Sequence, residues 1–272
     1  MTSGKEPFIV WNGAIRPIGS VQVDPLSDGW LYGWGCFETM GLVDGKIRFV
    51  DDHWERLGSA AEVLSLELPL KRKDLLRLAE ELAEANGCRD GVARLSLHRG
   101  EDSGARVEWL LRVFPGGMMV GSEPLRVVKS RFPHLGPSPL SEWKHNNYLH
   151  NLMAFREARS EGWDEAILCR ENEVIEGCLS SLWVLVDGEL LTPPLQSGAL
   201  RGVVRERILR SKTINGNTVR ECPLAWQNLF YARAVFLSNA AMILRPIGEL
   251  GGHPISLDEN FHEILVSEIL KN

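Results

Sequence analysis

Three dipeptides, Asn12-Gly13, Asp44-Gly45 and Asp187-Gly188, stand between runs of strand-forming residues, and they constrain the fold more than any other signal in the chain. A two-residue hairpin turn needs positive φ at both positions, which Asn, Asp and Gly adopt at least cost. Each pair therefore predicts an antiparallel hairpin. The first runs from Phe8-Ile9-Val10-Trp11 back through Ala14-Ile15. The second runs from Phe37 to Val43 and back through Lys46 to Val50. The third runs from Val174 to Val186, broken at Gly177, and back to Leu191-Thr192. Val92 to Gly100, Glu108 to Phe114, Leu125 to Lys129, Asp164 to Arg170 and Ala234 to Met242 have the same strand composition.

Helical spacing fills the intervals. Asp51 or Asp52 is expected to cap a helix whose buried stripe is Leu57, Ala60, Ala61 and Leu64. Leu75, Leu78, Ala79, Leu82 and Ala85 keep the same period from Lys71 to Asn86, where Gly87 supplies a stop. Tyr148 to Ser160 and a stretch near Leu257 to Leu270 read as two more helices. Strands alternate with helices in both halves without the regular spacing of a doubly wound fold, so the expected class is mixed α/β. The 272 residues suit two modest domains. Pro115 to Ser122 has linker composition, which predicts domains at 1–117 and 123–272, the second carrying Lys144.

The formal net charge of -6 offers no electrostatic footprint for nucleic acid or an anionic membrane, leaving a small anionic ligand in a local basic pocket. Cys36, Cys88, Cys169, Cys178 and Cys222 form no CxxC pair and no metal-type spacing, so no metal site is expected. They read as reduced, buried cysteines of a cytosolic protein. The opening Met-Thr-Ser-Gly-Lys-Glu-Pro lacks the pattern of a signal peptide, and no apolar run approaches the ~20 residues of a membrane span, so a cytoplasmic location is expected.

Four places carry candidate chemistry. Lys144, in Ser141-Glu142-Trp143-Lys144-His145-Asn146-Asn147-Tyr148, is a candidate nucleophile just before a helix. Glu176 lies between Ile175 and Gly177 in an apolar setting, where a carboxylate needs a proton or a cationic partner. Arg56 falls beside the apolar stripe of its helix: it either pairs with a carboxylate or grips a phosphate with its planar fork. Ser197-Gly198-Ala199-Leu200-Arg201-Gly202-Val203-Val204-Arg205 is a glycine-bearing loop entering a helix, which serves as plain turn chemistry or as an anion cradle.

Taken together these elements resemble the fold-type IV pyridoxal-phosphate enzymes, the family of branched-chain and D-amino-acid aminotransferases and aminodeoxychorismate lyase. The resemblance runs through Ser27-Asp28-Gly29, Tyr32-Gly33-Trp34-Gly35-Cys36-Phe37-Glu38-Thr39, His53-x-x-Arg56-Leu57, Lys144-x-x-Asn147-Tyr148-Leu149, Asp164-Glu165-Ala166, Glu176-Gly177, Ser180-Ser181, Thr192-Pro193, Gly198 to Arg205 and Ser238-Asn239-Ala240. It implies a two-domain fold like that of D-amino-acid aminotransferase, pyridoxal 5'-phosphate as cofactor, and a homodimer. It further implies that Lys144 carries the cofactor and moves protons, and that Glu176 pairs with its ring nitrogen. Arg56, the N–H groups of Val203 and Val204, and Asn239 would hold the phosphate, with Leu200 against the ring. Many relatives have threonine at Val204, asparagine at Ser181 and aspartate at Trp34.

Within the family, Ser238-Asn239-Ala240-Ala241-Met242, Val204 and Lys144-His145-x-Asn147 resemble aminodeoxychorismate lyase most. That implies conversion of 4-amino-4-deoxychorismate to 4-aminobenzoate and pyruvate, a step of folate formation. An aminotransferase of branched-chain L-amino acids or of D-amino acids is the alternative. The latter type places arginine and histidine two apart, and His98-Arg99 matches this imperfectly. Phe37, Thr39, Arg99 and Arg245 are the expected pocket residues for an anionic amine substrate.

Overall fold

The computed structural model describes residues 6–100, 106–116 and 123–271, which fold into two compact units. The first comprises Met1–Val120 with Trp143–Asn147, the second Gly121–Glu142 with Tyr148–Asn272. Most of the expected linker, residues 117–122, lies outside the described residues.

The first unit holds one six-stranded sheet: β1 (Phe8–Trp11), β2 (Ala14–Pro17), β3 (Gly35–Val43), β4 (Lys46–Ile47), β5 (Gly91–Arg99) and β6 (Val107–Pro115), in the order β2-β1-β6-β5-β3-β4. The two hairpin turns have positive φ at both positions, 48° and 89° at Asn12 and Gly13, 49° and 78° at Asp44 and Gly45. Against one face pack α2 (Val50–Val63) and α3 (Arg72–Ala85), after a short α1 (Asp28–Leu31) capped by the Ser27 hydroxyl. Leu57, Ala60, Ala61, Leu75, Leu78, Ala79 and Leu82 form the core with Cys36, Met40, Leu95 and Leu97 of the sheet.

Two local expectations are corrected. The strand predicted for Lys46 to Val50 stops at Ile47, because Phe49 turns left-handed (φ 53°) and throws the chain into α2. Phe49 is consequently the N-cap, without a side-chain hydrogen bond, and Asp51 and Asp52 sit inside the first turn. There their charges favour the helix through its dipole rather than by capping it.

The second unit is built on an eleven-stranded sheet with α4 (Leu149–Ser160), α5 (Val203–Arg210) and α6 (Glu259–Lys271). Its strands are β7 (Leu125–Lys129), β8 (Glu165–Arg170), β9 (Glu173–Gly177), β10 (Ser181–Val186), β11 (Glu189–Thr192), β12 (Thr213–Ile214), β13 (Asn217–Glu221), β14 (Leu224–Ala225), β15 (Ala234–Asn239), β16 (Ile243–Leu250) and β17 (His253–Pro254). The order β12-β13-β11-β10-β15-β16-β7-β8-β9-β14, with β17 on β16, mixes antiparallel hairpins with parallel pairs β7–β8, β7–β16 and β11–β13. The mixed α/β class is as expected. No helix of the described residues is long and apolar enough to cross a membrane.

The segment Trp143–Asn147 belongs with the first unit rather than the second, a correction of the expected assignment of Lys144. Its backbone docks on the start of β3: the Phe37 N–H donates to the Lys144 carbonyl (2.9 Å), Cys36 bridges His145, and the Asn146 N–H donates to the Gly35 carbonyl (2.9 Å). Gly35 makes this possible, since a Cβ there would stand 2.3 Å from Asn146 Nδ2 and 2.1 Å from the Leu97 carbonyl oxygen. The Asn146 and Asn147 amides add bonds to the Leu97 and Gly33 carbonyls (3.1 and 3.2 Å).

Candidate active site

Alternation along β3 sends Glu38 to the helix face and Phe37 and Thr39 to the other. On the helix face Glu38 is 1% exposed and sits among three hydrogen bonds. Arg56 Nε donates to Oε1 (2.8 Å), Arg56 Nη2 to Oε2 (2.6 Å), and His53 Nδ1 lies 2.6 Å from Oε2. Burial alone would raise the Glu38 pKa, but the charges of Arg56 and His53 outweigh it and hold the carboxyl at about 2. The carboxylate reading of Arg56 is thus realised, with Glu38 as the partner; the edge bearing Nε and Nη2 faces that partner.

On the opposite face the Lys144 ammonium lies 4.6 Å from the centre of the Phe37 ring, and the Arg94 guanidinium lies 3.7 Å from it. Thr39 pairs with Arg94 and Phe37 with Ser96 across β3 and β5, so these side chains share a face. Arg99 does not join them. It stacks 4.6 Å over Trp34 with Nε 3.3 Å from Asp28, on the side set by the parity of Leu95 and Leu97. Arg94, one strand position from Thr39, is the cation the sequence reading missed, and counting in twos from Phe37 through its register partner would have found it. Burial and the adjacent Lys144 ammonium both push the His145 pKa down.

In the second unit Glu176 is 7% exposed on β9. Its Oε2 accepts the Leu200 N–H (2.9 Å), and His134 Nε2 stands 3.8 Å from Oε1. Leu200 is half-buried, and its N–H rather than its side chain makes the contact with Glu176. The chain then enters α5 at Gly202, where a Cβ would meet Ser181 Oγ at 2.6 Å. Val203, Val204 and Arg205 form the first turn, whose N–H groups have no carbonyl four residues back within the helix. The Arg205 guanidinium, 1% exposed, ties that turn to Glu206, Glu221 and the Pro193 carbonyl.

Asn239 closes β15: its Oδ1 accepts the N–H groups of Ala241 and Met242 (both 2.9 Å), and its Nδ2 donates to the Leu179 carbonyl (3.2 Å). Arg245 lies on β16 and donates to the Glu123 carbonyl. Four cysteines are buried and Cys222 is half-exposed. Burial, then Glu38, pushes the Cys36 thiol up to about 12, so it stays protonated.

Behind this site lies a second buried acid. Glu165 on β8, fully buried, accepts the Leu179 N–H (2.8 Å) and the Ser180 hydroxyl (2.7 Å) at Oε1. It fills the hollow that Gly177 leaves, where a Cβ would come within 2.5 Å of its carboxyl. Burial, only partly offset by those two hydrogen bonds, raises its pKa from 4.5 to about 7. The fold therefore binds this proton more tightly than the unfolded chain. Its stabilisation is full below about pH 4.5 and is lost as pH rises through about 7. The melting temperature of Glu165→Gln is expected to gain on wild type between pH 5 and pH 8, by the equivalent of about 3 kcal/mol. Parallel melting curves at both pH values check this, and a constant gap would contradict it.

The second unit thus holds a buried acid on β9 and open N–H groups at the start of α5, and the first holds a lysine docked beside an aromatic ring. The chain matches the amino-transferase class IV family over residues 35–250. It belongs to that family, the fold-type IV enzymes of pyridoxal phosphate. Among curated relatives, the branched-chain-amino-acid aminotransferase of Escherichia coli is 27% identical over 270 residues, covering 93% of this chain and 87% of the relative. The D-alanine aminotransferase of Listeria monocytogenes is 26% identical over 265 residues, covering 92% and 91%. Among solved structures, the branched-chain aminotransferase of the archaeon Thermoproteus uzoniensis, crystallised with norvaline, superposes with a TM-score of 0.87 at 24% identity, covering 97% of this chain and 95% of that one. The Escherichia coli branched-chain enzyme gives 0.84, also at 24%, covering 96% and 92%.

Proposed function

We propose that this protein is a pyridoxal-phosphate-dependent aminotransferase of small amino acids, of the branched-chain type. The observation that carries the reading is Glu176, a buried carboxylate held by the Leu200 N–H in the same unit as the α5 helix start. A buried acid with its charge stabilised in this way suits a protonated ring nitrogen. The donor set of the second unit fits the cofactor: the first-turn N–H groups of Val203 and Val204 suit a phosphate, and the second amide hydrogen of Asn239 adds to them. Val204 supplies no hydroxyl where many relatives have threonine, so the phosphate contact there is through backbone alone.

When bound, pyridoxal phosphate supplies an electron sink for a carbanion at the substrate's α-carbon. Lys144 would anchor the cofactor and, as general base and then general acid, would carry the proton at the substrate's α-carbon. The Phe37 ring lies beside its ammonium in a cation–π contact. Phe37, Thr39 and Arg94 share that sheet face and line the substrate side, with Arg94 supplying a cation for a carboxylate. The exposed side chains of Leu26, Trp30, Leu31 and Tyr32 support the homodimer that the resemblance implies.

Lyase activity toward aminodeoxychorismate is the second reading, favoured by Ser238-Asn239-Ala240-Ala241-Met242, whose Asn239 carboxamide caps the turn in place of a Gly-Thr run. One experiment tests both. The loaded protein is mixed with branched-chain L-amino acids, with D-alanine, and with aminodeoxychorismate, while absorbance and products are followed. Conversion of the cofactor to its amine form by L-leucine or L-isoleucine, with the 2-oxo acid released, is the expected result. Formation of 4-aminobenzoate without such conversion would reverse the order of the two readings.

A further inference from the structure

The fold fixes the proton of one histidine next to the acid on which that function depends. His134 lies in the loop between β7 and α4. Its Nδ1 accepts the Gly136 N–H (3.0 Å), so in the neutral ring the proton sits on Nε2. Nε2 in turn faces Glu176 Oε1 at 3.8 Å, while Leu200 N–H holds Oε2 of the same carboxylate. Gly198 makes room for the ring: a Cβ there would stand 2.7 Å from His134 Cε1. Gly136 completes the seat and itself has φ 85°.

We infer that His134 is a positioning residue for Glu176, a neutral imidazole whose Nε2 edge faces the carboxylate at 3.8 Å and which, with the Leu200 N–H, orients that acid. The inference rests on the functional reading above, in which Glu176 is the partner of the cofactor ring nitrogen. Ring neutrality follows from the surroundings. Burial first, then the charges of His150 and Arg170, push the His134 pKa down to about 4 against the opposing pull of Glu173. A charged imidazole would compete with the ring nitrogen for Glu176; a neutral one turns a polar N–H edge toward the carboxylate at 3.8 Å without offering a rival cation.

The test uses the full chain with 15N-labelled histidine, together with His134→Gln, His134→Phe, Glu176→Gln and Lys144→Ala. Resonances of His134 are expected to show a bare Nδ1 and a protonated Nε2 from pH 8 down to about pH 5, with Nε2 shifted in Glu176→Gln. Titration with pyridoxal phosphate, read by tryptophan fluorescence, is expected to give about tenfold weaker binding in His134→Phe. Its affinity should also depend on pH differently from wild type, whereas His134→Gln, which keeps a donor, should stay within about threefold. A proton on Nδ1, or a charged ring at pH 6, would overturn the inference. So would His134→Phe binding as wild type does with the same pH profile. Wild type that takes up the cofactor no better than Lys144→Ala would overturn the functional reading and the inference with it, which separates the two failures.

Discussion

Lys144→Ala is expected to lower turnover by at least about 10^4-fold, since in the proposed function one side chain would serve as anchor and as proton carrier. The loss should be catalytic rather than structural. The docking bonds to Gly35 and Phe37 come from the backbone of Trp143–Asn147, and the asparagine amides add bonds of their own. Melting temperature and circular dichroism should therefore match wild type, while the near-visible absorbance of the loaded protein disappears. Turnover within tenfold of wild type, measured as 2-oxo acid released from a branched-chain amino acid, would remove Lys144 from its assigned role.

Glu38→Ala should cost about 3–5 kcal/mol, because it strands the buried Arg56 guanidinium and the His53 ring without their shared acceptor. The pH dependence is opposite to that of Glu165. A carboxyl held at about 2, below its ordinary 4.5, contributes stability that is present above about 4.5 and lost as pH falls through 2. Urea unfolding of wild type and Glu38→Ala at pH 7 and pH 3 should show the gap narrowing in acid. A gap of under about 1 kcal/mol at pH 7 would mean that the three groups are not acting as one buried cluster.

Hairpins were the most legible part of the chain because a positive-φ dipeptide and its flanking strands are contiguous. Asn12-Gly13, Asp44-Gly45 and Asp187-Gly188 all turn as expected. The helices at 72–85 and 149–160 were legible from periodicity for the same local reason. The start of α2 was not, since the left-handed turn at Phe49 is a tertiary choice that no residue preference announces. Among the candidate residues, Arg56 and Glu176 could be singled out as charges in apolar company, and Lys144 by its resemblance to the family's lysine segment. Their immediate partners could not. Glu38 looked like one more residue of an aromatic strand, and its link to Arg56 spans a sheet and a helix. His134 stood in a proline-broken loop with no periodicity to place it, and Arg99 drew notice that the strand's alternation transfers to Arg94.

The parallel pairing of β7 with β16 sets an order of events during synthesis. Leu125 lies opposite Ile247, so β7 gains that neighbour only after residues 243–250 have been made. Until then its edge carries open hydrogen-bonding groups beside apolar residues such as Val127. Contacts so distant in sequence form late and slowly. A ribosome-bound chain halted before β16 would thus have a second unit whose hairpins are in place but whose sheet cannot close. The first unit draws its strands from residues 8–115 and needs no such wait. Emergence of β16, rather than of Glu176, becomes the moment at which the two parts of that sheet are joined.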